Sequence, residues 1–199
     1  VSEAPKDYAG AKLGMWLFLF TEVLLFGGLF LLYAGYLHRY PVDFHHAAKA
    51  LDVFLGGANT VILITSSLVM ALAITALQRG RQGQCLLFLG LTVAMALGFL
   101  VNKFFEWEAK FAHGIFPGSP HVLELPKGEG VFYSLYFAMT GLHGVHVLVG
   151  AVVICVTAVF IRRGRVRADD YVILENAGLY WHLVDLIWIF LFPLFYLIT

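Results

Sequence analysis

The sequence predicts an all-α fold: an integral membrane bundle of five transmembrane helices, with the N-terminus cytoplasmic and the C-terminus outside. Three observations point there. The 199 residues are 60% hydrophobic, with a mean hydropathy of +0.82, whereas a soluble domain is roughly 45–50% apolar. Charged residues make up only 13%. They gather in short clusters between apolar runs long enough to cross a hydrocarbon core of about 30 Å. No stretch shows the strict alternation of a transmembrane barrel, so the backbone must satisfy its own polar groups within helices.

Residues 1–12 are polar and are expected to lie along the membrane surface; they lack the pattern of a cleavable signal peptide. The first span is expected over about 13–37, broken only by Thr21 and Glu22 among strongly polar types. A polar loop with Pro41, His38, His45 and His46 leads to the second span, about 53–77. That span opens with Gly56, Gly57, Ala58, Asn59 and Thr60, small and amide residues suited to close helix contact and cross-helix hydrogen bonds. A tight basic turn with Arg79 and Arg81 precedes the third span, about 85–109. On it Ala94 and Gly98 form a small-xxx-small pair, and Lys103 and Glu106, three apart, can pair. The longest loop carries Pro117, Pro120 and Pro126. The fourth span, about 131–161, is long enough to tilt or protrude. Four arginines and two aspartates then precede the fifth span, about 171–198, with Pro193 near its end. The whole chain, 1–199, reads as a single domain.

Charge sets the expected orientation. Lys6, Lys12, Arg79, Arg81, Arg162, Arg163, Arg165 and Arg167 fall on one side, and Arg39, Lys49, Lys103, Lys110 and Lys127 on the other. The richer side is cytoplasmic by the positive-inside rule. Trp16, Tyr33, Tyr36, Tyr40 and Tyr196 lie near span ends and fit interfacial aromatic belts. With 13 basic and 13 acidic residues, the chain has no excess of positive charge that would draw nucleic acid.

The chemistry concentrates in three places. Glu22 lies nine residues into the first span, roughly 14 Å deep at 1.5 Å per residue. His143 and His146 stand in the middle of the fourth span. His182 and Asp185, three apart on one face of the fifth, sit within Tyr180-Trp181-His182-Leu183-Val184-Asp185. Ionisable groups in lipid are costly and face protein or water, so a buried polar network of Glu22, His143, His146, His182 and Asp185 is expected.

Each group also has a plainer reading. Glu22 is either a proton-relay group or a hydrogen-bonding group that aids assembly. A histidine pair on one helix can ligate metal. The spacing here is three rather than the usual four and no further ligand set completes a site, so polar glue between helices is the better reading. His182 with Asp185 is either a carboxylate-oriented histidine or a hydrogen-bonded contact. The loop histidines His38, His45, His46, His113 and His121 are expected to face solvent. Ser66 and Ser67 are expected to bond backbone carbonyls, and Cys85 and Cys155 to be small core residues. No catalytic residue and no metal site is expected.

Taken together, these stretches resemble subunit III of the haem-copper terminal oxidases, in a short five-helix form. Residues 180–185 with Trp188 are similar to that family's last-helix signature, and His143-Gly144-Val145-His146-Val147 to the histidine motif of the helix before it. Trp16 through Glu22 with Phe26, Asn59-Thr60 with Ser66-Ser67, and Glu106-Trp107 resemble the other three helices in order. The resemblance covers nearly the whole chain.

It implies a non-catalytic core subunit in a prokaryotic cytoplasmic membrane. Such a subunit packs directly on subunit I, in a complex that also holds subunit II and in some cases subunit IV. Haem and copper would belong to the partners and none to this chain. Phospholipid is an implied ligand, with Asn59, Ser66, Glu106, Trp107, Tyr180 and Trp181 as helix-contact or lipid-contact residues. Relative to the longer members the sequence lacks two helices, so their lipid cleft would be incomplete or closed by another subunit. The resemblance also admits a quinol oxidase or a nitric oxide reductase relative. A stand-alone proton-coupled transporter is disfavoured, because no internal repeat or broken-helix pair is visible.

Overall fold

The computed structural model describes residues 7–198. Among them are seven α-helices: α1 Tyr8–Arg39, α2 Pro41–Ala48, α3 Val53–Gln78, α4 Gln82–Ala112, α5 Pro120–Glu124, α6 Lys127–Arg162 and α7 Val172–Tyr196. Five of them, α1, α3, α4, α6 and α7, are long and apolar enough to span a membrane. Among the described residues the one β-type pairing is an isolated antiparallel bridge between Arg167 and Asp170.

The spans are longer than expected at several ends. α1 begins at Tyr8, where the Asp7 carboxylate accepts from the Gly10 amide at 2.8 Å and caps the helix. Residues 8–12 are therefore helical and continuous with the first span; residues 1–6 lie outside the described residues. The polar stretch after the first span is not a plain loop, because Pro41 starts α2 at its first position, where no amide is needed. Asp52 caps α3 through the Leu55 amide at 3.1 Å. The chain reverses at Gly80, at Gly114 and at Gly164, each with a positive φ near 70° that glycine adopts without strain. Ser119 caps α5 through the Val122 amide. Pro193 sits inside α7, and the helix stops within a turn, as a missing amide there favours.

Helices α3, α4, α6 and α7 form a closed ring of four, each packed on two neighbours, and α1 lies outside it against α6 and α7. In its most apolar stretch α1 is only 11% buried, against 50% for α7. α7 is thus the most enclosed helix, and α1 turns most of its surface outward. α2 and α5 cover the end of the bundle where α3 and α6 begin. The reversals at Gly80 and Gly164 form the opposite end.

The core is aromatic. Trp181, Trp188, Phe99, Tyr136, Phe132 and Phe195 are fully buried, with Phe99 edge-on to Trp188 at 4.8 Å and Phe195 edge-on to Tyr136 and Phe132. Two expectations about small residues change here. Nothing approaches within 4 Å of where a Gly98 Cβ would stand, and Ala94 is exposed, so that pair is not a helix contact. Gly56, one of the small residues expected at a close helix contact, does make one, and Gly150 makes another, seating Phe192 and Trp181 of α7 where a Cβ would come within 2.8 Å. Cys85 is buried as expected, whereas Cys155 faces outward. Tyr33 and Tyr196 do not belong to an interfacial belt: both are fully buried.

Candidate functional site

Glu22 of α1 faces His146 of α6. Their Oε2 and Nε2 atoms are 2.9 Å apart, with both side chains 14% exposed. His146 Nδ1 lies 2.8 Å from the Leu142 carbonyl, which can only accept, so Nδ1 carries a hydrogen. The proton shared at Nε2 then comes either from the imidazole or from the Glu22 carboxyl, and the pair is net neutral in both forms. Tyr180 of α7 donates to the His146 carbonyl at 3.2 Å, and Phe26 stands edge-on to the imidazole at 5.3 Å. Three helices therefore meet at this pair.

His143, one turn earlier on α6, is not part of that contact. It points into the four-helix ring, fully buried between Phe99 and Trp188, with no hydrogen-bond partner at either ring nitrogen. His182 and Asp185 point from α7 toward α3. The Ser67 hydroxyl meets His182 Nδ1 at 2.6 Å, so Ser67 bonds a side chain rather than the backbone carbonyl expected of it. Asp185 is buried and neither carboxylate oxygen has a donor in hydrogen-bond geometry, although the Ser67 hydroxyl is close enough to interact with it. The single network expected from the sequence is therefore two separate contacts: Glu22 with His146, and His182 with Ser67 beside Asp185. Helix rotation divides them, since His143 and His146, three residues apart, open onto different neighbours.

The contacts that tie α7 to α3 continue along the interface. Trp181 Nε1 donates to Ser66 Oγ at 3.0 Å, and Ser66 in turn donates to the Leu63 carbonyl. Trp188 Nε1 donates to Thr60 at 3.0 Å. Asn59 is buried and accepts from Asn102 of α4 at 2.9 Å. Trp107 packs on Phe137, with its indole nitrogen lacking an acceptor.

A further cluster lies near the end of the bundle covered by α2 and α5. The Lys103 ammonium donates to Glu106 Oε2 at 3.0 Å, to Tyr136 at 2.9 Å and to Tyr196 at 3.0 Å. Both tyrosine hydroxyls also donate to Glu106 Oε1, at 2.6 and 2.5 Å. Every donor of the ammonium and both carboxylate oxygens are used, which is what allows the pair to stay buried. The Lys103–Glu106 spacing is visible in the sequence; the two tyrosines come from α6 and α7, and no local pattern marks them.

At the other end, α1 is tied to α7 by an ion pair from Lys12 to Glu175 at 2.9 Å. Its C-terminal half is held by the Tyr33 hydroxyl, which donates to the Leu194 carbonyl. Leu194 lies in the last turn of α7, where carbonyls have no partner within the helix. Among the described residues, no group of three or more His, Cys, Asp and Glu side chains converges as a metal site would require. The loop histidines are exposed, and His46 lies 2.9 Å from Glu129.

The chain was compared with known proteins. The family model described as cytochrome c oxidase subunit III matches residues 4–199. Cytochrome c oxidase subunit 3 of Synechocystis sp. is 33% identical over 93% of this chain and 74% of its own length. The subunit 3 of Thermostichus vulcanus is 33% identical over 94% of this chain and 87% of its own. A haem-copper oxidase subunit I+III of Aeropyrum pernix is 30% identical over 98% of this chain, which covers 23% of that longer protein.

Proposed function

The chain belongs to the cytochrome c oxidase subunit III family, and from that premise we propose how it acts within its complex. It is a multi-pass membrane protein and a subunit III of a haem-copper oxidase, a component of that complex in respiratory electron transport. In the reading proposed here it packs directly against subunit I, binds neither haem nor copper itself, and supports subunit I without performing its chemistry. The relative in which subunits I and III are named as one protein supports that pairing. Subunit II completes the complex, with subunit IV as a further member. The membrane is the prokaryotic cytoplasmic membrane, with the N-terminus inside on the count of eight basic residues against five. Cytochrome c is the electron donor, as the names of the two bacterial relatives suggest.

The observation that carries a supporting role for proton uptake is the Glu22–His146 pair. A carboxyl and an imidazole stand 2.9 Å apart there, both partly buried, at the seam between the outlying α1 and the ring. The outward apolar face of α1, with Trp16, Leu17 and Phe20 exposed, is suited to lipid or to a partner helix.

The experiment is to extract the tagged chain from its native membrane in mild detergent, record the visible spectrum and identify the chains that come with it. Haem absorbance, a large many-helix partner and oxygen uptake driven by reduced cytochrome c are the expected results. A colourless preparation without that partner, from cells expressing an oxidase, would overturn the accessory-subunit reading. Uptake driven by quinol alone would replace the donor.

A further inference from the structure

We propose that the groove over α7, walled by α1 and α3, seats a transmembrane helix of subunit I, and that His182 meets a hydroxyl or carboxamide side chain of that helix. This rests on the reading that the chain packs on subunit I, and it names the surface and the contact.

The shape of the bundle leaves room for such a helix. α1 and α3 each pack on α7 but are not packed on one another. α1 reaches α7 at Tyr180 and Phe190, and α3 reaches it at Trp181 and Trp188. Between those two sets of contacts runs a stripe of His182, Leu186 and Ile189, at the i, i+4, i+7 spacing of one helix face. Leu186 and Ile189 are exposed, and His182 is partly so. On the α3 wall, Ile64 and Leu68 are exposed on either side of Ser67.

The imidazole selects the occupant. His182 stands ten residues after the start of the 25-residue α7, about 15 Å along it at 1.5 Å per residue. That is near the middle of a hydrocarbon core of about 30 Å. Its Nδ1 is taken by Ser67 at 2.6 Å. Its Nε2 has no partner among the described residues, yet it is not one of the enclosed unpartnered atoms, so it reaches the surface on the groove side. The other ionisable groups at this depth make no such demand outward. Glu22 and His146 hold one another, and His143 and Asp185 are buried. Acyl chains carry no hydrogen-bonding group, and an unmatched polar group in hydrocarbon is costly. A packed helix can match it with a side chain. The Ser67 hydroxyl can donate to Nδ1 or accept from it, so Nε2 either carries a hydrogen or accepts one. A hydroxyl or a carboxamide serves both cases.

The test uses the assembled oxidase in its native membrane. A benzophenone-bearing amino acid is placed at Leu186 or Ile64 in the groove, and at Leu97 of α4 or Val152 of α6 on other exposed faces. After irradiation the complex is extracted and the cross-linked chains are identified by mass spectrometry. Subunit I captured at Leu186 and Ile64, and not at Leu97 and Val152, supports the groove. Any other distribution of cross-links overturns it, and where subunit I and haem still co-purify the packing reading survives. An extract without subunit I and haem overturns that reading itself. Should the probe at Leu186 prevent assembly, Ile64 decides.

The polar contact has its own readout, release of this chain from the complex on detergent titration. S67A removes the inner bond of His182, and H182L removes the inner and the outer one. Release should be roughly fivefold easier in H182L than in S67A, the size of one side-chain hydrogen bond in a membrane. H182Q restores an outward amide and should return release to the S67A level. Equal release in S67A, H182L and H182Q would overturn the contact.

Discussion

Glu22 and His146 meet at 2.9 Å across the seam between α1 and α6, and the orientation of the imidazole is fixed from its far side by the Leu142 carbonyl. Because Nδ1 carries a hydrogen, a glutamine at position 22 can still donate its amide to Nε2. E22Q is therefore expected to assemble with subunit I and to melt close to wild type. H146L leaves the Glu22 carboxyl with no partner in a half-buried, apolar place, and should cost about 1–3 kcal/mol. Thermal dissociation of this chain from the purified complex measures both. An E22Q complex that loses this subunit as readily as H146L would show that the carboxyl itself, not the hydrogen bond, holds α1.

His182 and Ser67 tie α7 to α3 at 2.6 Å. H182L is expected to loosen the bundle by about 1 kcal/mol, in line with side-chain hydrogen bonds inside membranes. The loss should be non-additive with S67A, because each variant removes the same contact. A double-mutant cycle on melting temperature checks it. Full additivity would mean that the two side chains act through different partners.

The Lys103 cluster carries the largest expected effect. K103M leaves Glu106 with the two tyrosine donors and the more distant Lys110, and breaking a buried pair by removing one partner costs about 3–5 kcal/mol. The variant should fail to retain this chain in the complex. Replacing both partners, K103M with E106L, should recover much of the loss, since an apolar pair of similar volume avoids the desolvation of both ions. Retention of the subunit after detergent extraction, compared across the single and double variants, is the measurement. A double variant no better than K103M would mean that Glu106 is needed for more than its match with Lys103.

What was legible in the sequence divides along physical lines. Hydropathy over twenty residues locates five spans because each run must satisfy its own backbone, and that property is local. The pairing of Lys103 with Glu106 was legible for the same reason. Tyr136 and Tyr196 were not, because they reach Glu106 from 30 and 90 residues away, and a tyrosine near a span end reads equally well as an interfacial anchor. The five ionisable residues of the membrane interior were all visible. Their division into two contacts and an isolated His143 was not, because it depends on how each helix is rotated. α2 escaped notice since its eight residues hold two histidines and an aspartate and look like a loop; it is its buried face, Phe44, Ala47 and Ala48, that folds it.

Small residues give the last prediction, because the Ala94–Gly98 pair marked in the sequence makes no helix contact and Gly150, which the sequence did not mark, does. Gly150 of α6 lies under Trp181, and a Cβ there would stand 2.8 Å from the indole. That ring is fully buried and its Nε1 is committed to Ser66, so it cannot withdraw without breaking the α7–α3 bond. G150A is expected to cost about 1–3 kcal/mol through overpacking. Gly98 has open space in the Cβ direction, and G98A should be neutral or slightly stabilising because alanine is the better helix former. Both variants add a single methyl group to a glycine in a spanning helix, so the comparison separates packing from composition. Melting of the two complexes side by side measures it. Equal losses in both would mean that the Ala94–Gly98 face is covered in the assembled complex, and equal tolerance would mean that α6 and α7 pack less closely at Gly150 than this geometry requires.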